Sequence, residues 1–203
     1  MTLDQINYYE NFEEIEKKLW SLLERAVNDR NSEFRNPVFI CGNNKDVDGR
    51  VVVLRMADQK SNVIQFHSDI RSSKIGVIKK NSNCSLLFYS KKEKIQLRMR
   101  VNAEINYKDE VTKISWVKTG HISRKCYLVS NPPGTLSLSP TSGLSEKLDK
   151  FDFTKEESEK GYENFCVIKC KIKTIEWLYL AAKGHRRALI DLKNPKKFTW
   201  LVP

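Results

Sequence analysis

The sequence predicts one α+β domain, mainly β with short helices: an antiparallel barrel or sandwich led by an N-terminal amphipathic helix. Three observations carry that expectation. In residues 10–28 the apolar side chains return every three or four positions. After Pro37 they fall instead into short alternating or β-branched runs. No repeat, and no linker long enough to separate domains, interrupts the 203 residues, so 1–203 reads as a single unit.

Taken in order, Phe12, Ile15, Leu19, Leu22, Leu23 and Ala26 share one face of the first segment while Glu and Lys fill the other. That is the stripe of a helix packed on a core. Strands are expected at Val38–Cys41, Arg50–Met56, Val63–His67, Leu86–Tyr89 and Lys94–Ile105. The last is the clearest. Ile95, Leu97, Met99, Val101, Ala103 and Ile105 face one way; Lys94, Gln96, Arg98, Arg100, Asn102 and Glu104 face the other. A period of two gives a helix no single apolar face, and a strand polar on one side suits antiparallel pairing. Short helices are expected at Ser72–Lys80 and Lys108–Val117, then a loop rich in Pro, Ser and Gly over 131–145. Thr154 to Glu157 fits a capping box opening another helix. Strands resume at Cys166–Lys173, a run that continues through Glu176–Ala182 and His185–Leu192. Phe198–Val202 closes the chain, about eight strands in sum.

Composition narrows the function. Nine Phe, four Trp and seven Tyr within 40% hydrophobic content supply a packed core. The longest apolar run, Trp177–Ala182, has six residues, whereas a membrane helix needs about 20. Met1–Gln5 shows neither the basic nor the apolar stretch of a signal peptide, so the cytoplasm is the expected compartment, with nuclear entry left open. Cys41, Cys84, Cys126, Cys166 and Cys170 form no CxxC pair, and His67, His121 and His185 join them at no zinc-like spacing. They are expected as buried reduced thiols, with no metal. If Cys166 and Cys170 share a strand, their Cα atoms stand ~13 Å apart, too far for a disulfide. The formal charge of +11 attracts anions. Nucleic acid is not the expected partner, because no exposed aromatics interleave the basic residues in an RNA- or DNA-binding motif.

Three clusters could carry chemistry. Arg50 to Arg55 on a strand is followed by Phe66-His67-Ser68 and then Ser72-Ser73-Lys74 at a helix start. Hydroxyls, free helix N–H groups and a lysine make a site for a phosphate dianion, or an ordinary helix cap beside lysines in water. Gln96, Arg98 and Arg100 line one strand face, fit for a planar hydrogen-bonding ligand or simply for water. Trp177 precedes Lys183-Gly184-His185-Arg186-Arg187, a hairpin with cations at its tip. No triad, carboxylate pair, GxGxxG or phosphate-loop motif accompanies them.

Read in order, these segments resemble the FMN-binding split-barrel family of pyridoxamine 5′-phosphate oxidase, in its oxidase-like branch. Arg50-Val51-Val52-Val53-Leu54-Arg55 is similar to the family's R-x-V-L-L-K strand, Phe66-His67-Ser68 to its F-Y-T and Ser72-Ser73-Lys74 to its S-R-K. Gln96 falls on the glutamine of R-Q-V, and Trp177 with Arg187 keeps W-x9-R. The resemblance implies a split-barrel homodimer with FMN at the subunit interface. It implies that Arg50, Val51, Leu54, Arg55, His67, Ser68, Ser73, Lys74 and Gln96 hold the cofactor, with Trp177 and Arg187 reaching it from the other subunit. It also implies an FMN-dependent oxidoreductase resembling pyridoxamine 5′-phosphate oxidase, which oxidises pyridoxamine or pyridoxine 5′-phosphate, a small phosphorylated substrate, to pyridoxal 5′-phosphate with oxygen as acceptor. Arg55, Lys183 and His185 would lie at the substrate, and His185 and Arg187 nearest the chemistry. The family's substrate grip, Tyr-x3-Arg-x3-Ser, falls on Ser115, Thr119 and Ser123, with Arg124 or Lys125 as a substitute cation. A flavin reductase, an oxidase of another small substrate, or a flavin-binding protein without turnover stand as alternatives.

Overall fold

The structure, a computed structural model, describes residues 8–42 and 46–203. Met1–Gln5, read above for a targeting segment, lie outside them. Helix α1 spans Phe12–Asn28. It starts where the Asn11 side chain accepts from the backbone N–H groups of Glu13 and Glu14, at 2.9 and 3.1 Å. It stops at Asp29, and its last carbonyls are taken by the Arg35 guanidinium, 2.6 Å from Val27 O and 3.1 Å from Ala26 O. Ile15, Leu19, Trp20, Leu22, Leu23 and Ala26 are buried against the sheet, each larger side chain contributing ~1.5–3 kcal/mol of transfer free energy.

Nine strands follow: β1 (Val38–Gly42), β2 (Val47–Val51), β3 (Leu54–Asp58), β4 (Val63–Asp69), β5 (Asn83–Ser90), β6 (Ile95–Asn106), β7 (Phe165–Tyr179), β8 (Arg186–Asp191) and β9 (Lys197–Leu201). Between them lie α2 (Ser73–Lys80), α3 (Glu110–Lys118), α4 (His121–Arg124), α5 (Glu146–Asp149) and α6 (Lys155–Ser158). The segment from Asn131 to Pro140 is exposed and carries neither helix nor strand, as expected of that loop. The capping box at Thr154 and Glu157 is formed, and Asp109 with Thr112 makes a second one that starts α3.

Every pairing is antiparallel, in the order β2-β1-β5-β6-β7-β4-β3. The two ends of that order, β2 and β3, are consecutive in the chain and separated by only Val52 and Val53. The sheet must therefore curl until its edges meet, yet no ladder joins them: a split barrel whose seam is covalent. This corrects the single strand expected over Arg50–Met56. Arg50 pairs with Phe39 of β1, whereas Leu54 pairs with Phe66 of β4, so the run changes partner midway.

Strand β7 organises the rest. One of its edges is paired along its length by β6; the other is shared, with β4 on Phe165–Lys171 and β8 on Thr174–Tyr179. It is one continuous strand with an irregularity opposite Arg100/Val101. The inward face of β6 is Ile95, Leu97, Met99, Val101 and Ala103, as the alternation required. Near Phe165, β7 is buried on both faces, because Trp116 of α3 and Tyr127 pack with Phe165 and Val167 in a second, smaller core. Cys41, Cys84, Cys166 and Cys170 are buried free thiols, but Cys126 is exposed, against expectation. No helix among the described residues is long and apolar enough to cross a membrane.

Candidate functional site

At the β4–α2 turn, Ser68 is buried on β4 and Ser72 is the N-cap of α2. The Ser72 hydroxyl does not cap its own helix. It accepts instead from Lys74 Nζ at 2.8 Å, as does Ser68 Oγ at 2.8 Å. Lys74 is 9% exposed and forms no ion pair among the described residues, so a buried ammonium is held by two neutral hydroxyls. Burial, and then the nearby Arg50, depress its pKa below the ordinary lysine range. A buried lysine hydrogen-bonded only to hydroxyls, its charge answered in part by the buried Asp69 carboxylate, beside a helix N-terminus without a side-chain cap, has the donor set of an anion cradle. Arg50 borders it from β2, half-buried and paired with Asp48. Ser73 is exposed at the first helical position.

Arg55 and His67 lie beside the cradle. Arg55 is exposed at the irregularity between Leu54 and Met56, and its charge reaches both His67 and the Tyr127 phenol. His67 packs edge-on against Phe165, and its Nδ1 is buried without a hydrogen-bond partner. Burial, assisted by Arg55, pushes its pKa down to about 3, so the imidazole is neutral. Burial pushes the Tyr127 phenol well above its ordinary value. The sequence reading missed Tyr127, and it missed Arg71. Arg71 clasps Asp69 at 3.0 and 2.7 Å and donates to Val129 O and Ser130 O at 3.0 and 3.1 Å, tying the following loop to the cradle's turn.

The second group of expected residues occupies the other half of β7. Gln96 sits opposite Leu178, and Leu178 opposite Arg187. Arg98 and Arg187 share one carboxylate oxygen of Glu176, Arg187 at 2.8 Å, so these cations are neutralised in part. Arg98 and Glu176 line a cleft of about 440 Å³ on the outer face of the sheet, with Arg100, Leu87 and Leu189. From Cys166, opposite Ser68, to Leu178 is 12 residues of β7, a contour of roughly 40 Å. One chain thus separates Ser68 and Lys74 from Gln96 and Arg187.

Several expected residues have other work. Trp177 is fully buried in the main core, opposite Leu97 and stacked on Tyr179, so its indole has no surface to offer a ligand. Leu54 is fully buried, which leaves only its backbone for contact, whereas Val51 is exposed on β2. His185 Nδ1 accepts from Ala181 N at 3.1 Å and closes the exposed β7–β8 turn with Lys183 and Gly184. Arg124, expected as a free cation, is 3% exposed and spent on Thr119 O, Trp116 O and Glu159. Lys125 lies over the Phe151 ring at 3.6 Å. Ser115 and Thr119 are bonded to each other through Ser115 O, 2.8 Å from Thr119 Oγ1.

The fold is an antiparallel split barrel with a buried cluster of one lysine and two hydroxyls at the head of α2. Residues 18–106 match the family model described as pyridoxamine 5′-phosphate oxidase, FMN-binding domain. No curated protein matches the sequence. A pyridoxamine 5′-phosphate oxidase-related, FMN binding protein from Nostoc punctiforme shares the fold over 100% of both chains, with TM-score 0.72 and 15% identity. PhzG from Burkholderia lata, solved with tetrahydrophenazine-1-carboxylic acid, covers 98% of this chain and 97% of its own at TM-score 0.72 and 15% identity. Campylobacter jejuni ChuZ reaches TM-score 0.57 at 14% identity, over 97% of this chain and 65% of that one. The resemblance to the pyridoxamine 5′-phosphate oxidase-related, FMN-binding split-barrel family therefore stands, in fold over the whole chain and in sequence over 18–106. Trp177, Lys183, His185 and Arg187 lie outside the matched segment.

Proposed function

We propose that this chain is an FMN-dependent oxidoreductase working as a homodimer, with the cofactor phosphate in the Lys74 cradle. The observation that carries the reading is Lys74 itself, a buried ammonium whose partners are two hydroxyls. Its donor set suits a phosphate dianion, which would bring the charge that the fold supplies only in part. Bound there, FMN would supply the two-electron redox step. The protein's task is to grip and orient. Lys74, Ser68 and Arg50 hold the phosphate, Arg55 sets a positive charge beside the ring system, and neutral His67 offers its unused nitrogen without adding charge.

A second copy completes the site in this reading. The outer sheet face exposes Val47, Val51 and Tyr89, around the half-buried Val38, Ile40, Leu87 and Leu178, an apolar surface that a partner would cover. The distance between the two residue groups along β7 supports the same arrangement, with Gln96 and Arg187 of one copy reaching the cradle of the other. Trp177 is left out of this account because its indole is buried.

The substrate reading stops short of pyridoxamine 5′-phosphate. Ser115 and Thr119 stand where the family has Tyr and Arg, and Arg124 is wholly committed to the fold. A site without its bidentate arginine favours an oxidase or flavin reductase acting on another small molecule, with His185 and Lys183 at its rim. The test is direct: the purified chain is incubated with FMN, freed of excess by gel filtration, and its visible spectrum and mass recorded. A yellow dimer is expected. A colourless protein that also fails to take up FMN would overturn the reading.

A further inference from the structure

A second cavity, of about 450 Å³, lies between the chain after Tyr127, helix α5 and the turn ending at Asn164. It includes none of the cradle's phosphate-binding residues and none of the outer-face residues. Leu128, Val129, Leu148 and Phe153 give it an apolar lining, and Arg71, Lys147 and Lys160 give it cations. That size and that mixture, mostly apolar with a few convergent polar groups, are those of a small-molecule site.

The charges specify what would fill it. Lys147 is paired with Glu157 at 2.6 Å, and Arg71 with Asp69 behind the wall. Lys160 forms no ion pair among the described residues, though its charge reaches Glu157. Arg71 and Lys147 are thus answered by Asp69 and Glu157, with Asp152 also acting on Lys147, and Lys160 is the lining cation left without an ion pair among the described residues, which matches a monoanion. The cradle differs: its buried lysine is hydrogen-bonded to hydroxyls and forms no ion pair among the described residues, and with Arg50 beside it, it suits a dianion. Arg71 is held in place by Asp69, Val129 O and Ser130 O, and these bonds use four of its five N–H donors. The remaining one belongs to a guanidinium already oriented, so little ordering is left for a ligand to impose. We propose that this cavity binds a small aromatic monocarboxylate, its ring on Leu148 and Phe153 and its carboxylate toward Lys160 and Arg71. The assignment does not depend on flavin binding.

The test uses the full chain and 2-naphthoate as the probe, followed by titration calorimetry, with 2-naphthalenemethanol as its uncharged counterpart. Saturable binding of one naphthoate per chain is expected, with the alcohol weaker. Lys160→Glu, an exposed position that leaves the core intact, is expected to weaken naphthoate about tenfold or more. Phe153→Ala, which removes apolar wall without touching charge, is expected to weaken both probes. Lys74→Met, in the cradle, is expected to leave naphthoate binding unchanged. Absence of naphthoate binding at millimolar concentration, equal affinity for acid and alcohol, or indifference to Lys160→Glu would each overturn the proposal. Loss of naphthoate binding in Lys74→Met would move the probe to the cradle and overturn it equally.

Discussion

The two halves of β7 carry cations in opposite ways. Beside its N-terminal half Lys74 is buried with hydroxyls as its only hydrogen-bond partners and no ion pair among the described residues, its charge answered only in part, by Asp69. At its C-terminal half Arg98 and Arg187 converge on Glu176 near the surface, and one carboxylate answers half of their charge. In the reading proposed above, the difference separates a cation kept for a ligand from cations that hold two strands together. A buried charge answered only in part costs stability, so a fold that retains one does so against its own interest.

The sharpest way to break that comparison is Lys74→Met. It is expected to weaken FMN by about 2–5 kcal/mol, a factor of roughly 30 or more, as titration of the apoprotein would show. The same substitution should leave the apoprotein at least as stable in urea as the parent, because a buried, only partly compensated charge is removed. Loss of stability in the apoprotein would place Lys74 with the structural cations and end the distinction.

A second comparison sets neutral His67 against these charges. Its folded pKa, about 3, lies below the unfolded value of 6.5, so the unfolded chain binds a proton that the folded chain refuses. Its contribution is intact above pH 6.5 and is lost progressively as pH falls toward 3, amounting to about 2 kcal/mol by pH 5. Urea midpoints at pH 7 and pH 5 would show the loss, and His67→Gln should flatten it. Glu176→Gln is next in size. It leaves Arg98 and Arg187 without their shared countercharge and should cost about 1 kcal/mol in a urea melt, with sign opposite to that of Lys74→Met. Smallest is His185→Ala, an exposed turn residue whose effect on stability should stay within about 0.5 kcal/mol. Any loss of turnover in that variant would then report chemistry.

What the sequence made legible was local. The α1 stripe and the β6 alternation depend on near neighbours, and both survive intact. The clustering of Ser68, Ser72 and Lys74 is local too, because the three lie within one strand–turn–helix connection. Legibility failed where the deciding partner is distant. Arg71 gains its role from Val129 and Ser130, and Arg124 loses its freedom to Glu159, neither of which a short window contains. Trp177 sits in the run from Trp177 to Ala182, where every residue is apolar and alternation no longer says which face is inward; the register against Leu97 decides it. The break at Val52 and Val53 is invisible for the same reason. Both flanks are strand, and only their pairing with β1 on one side and β4 on the other divides them.

The central claim is that the cradle recognises the phosphate of a flavin, and titration of the apoprotein with FMN beside riboflavin tests it most directly. FMN is expected to bind far more tightly than riboflavin in the parent, and that preference to vanish in Lys74→Met. Equal affinity for the two flavins in the parent, or a preference that outlives Lys74, would contradict it.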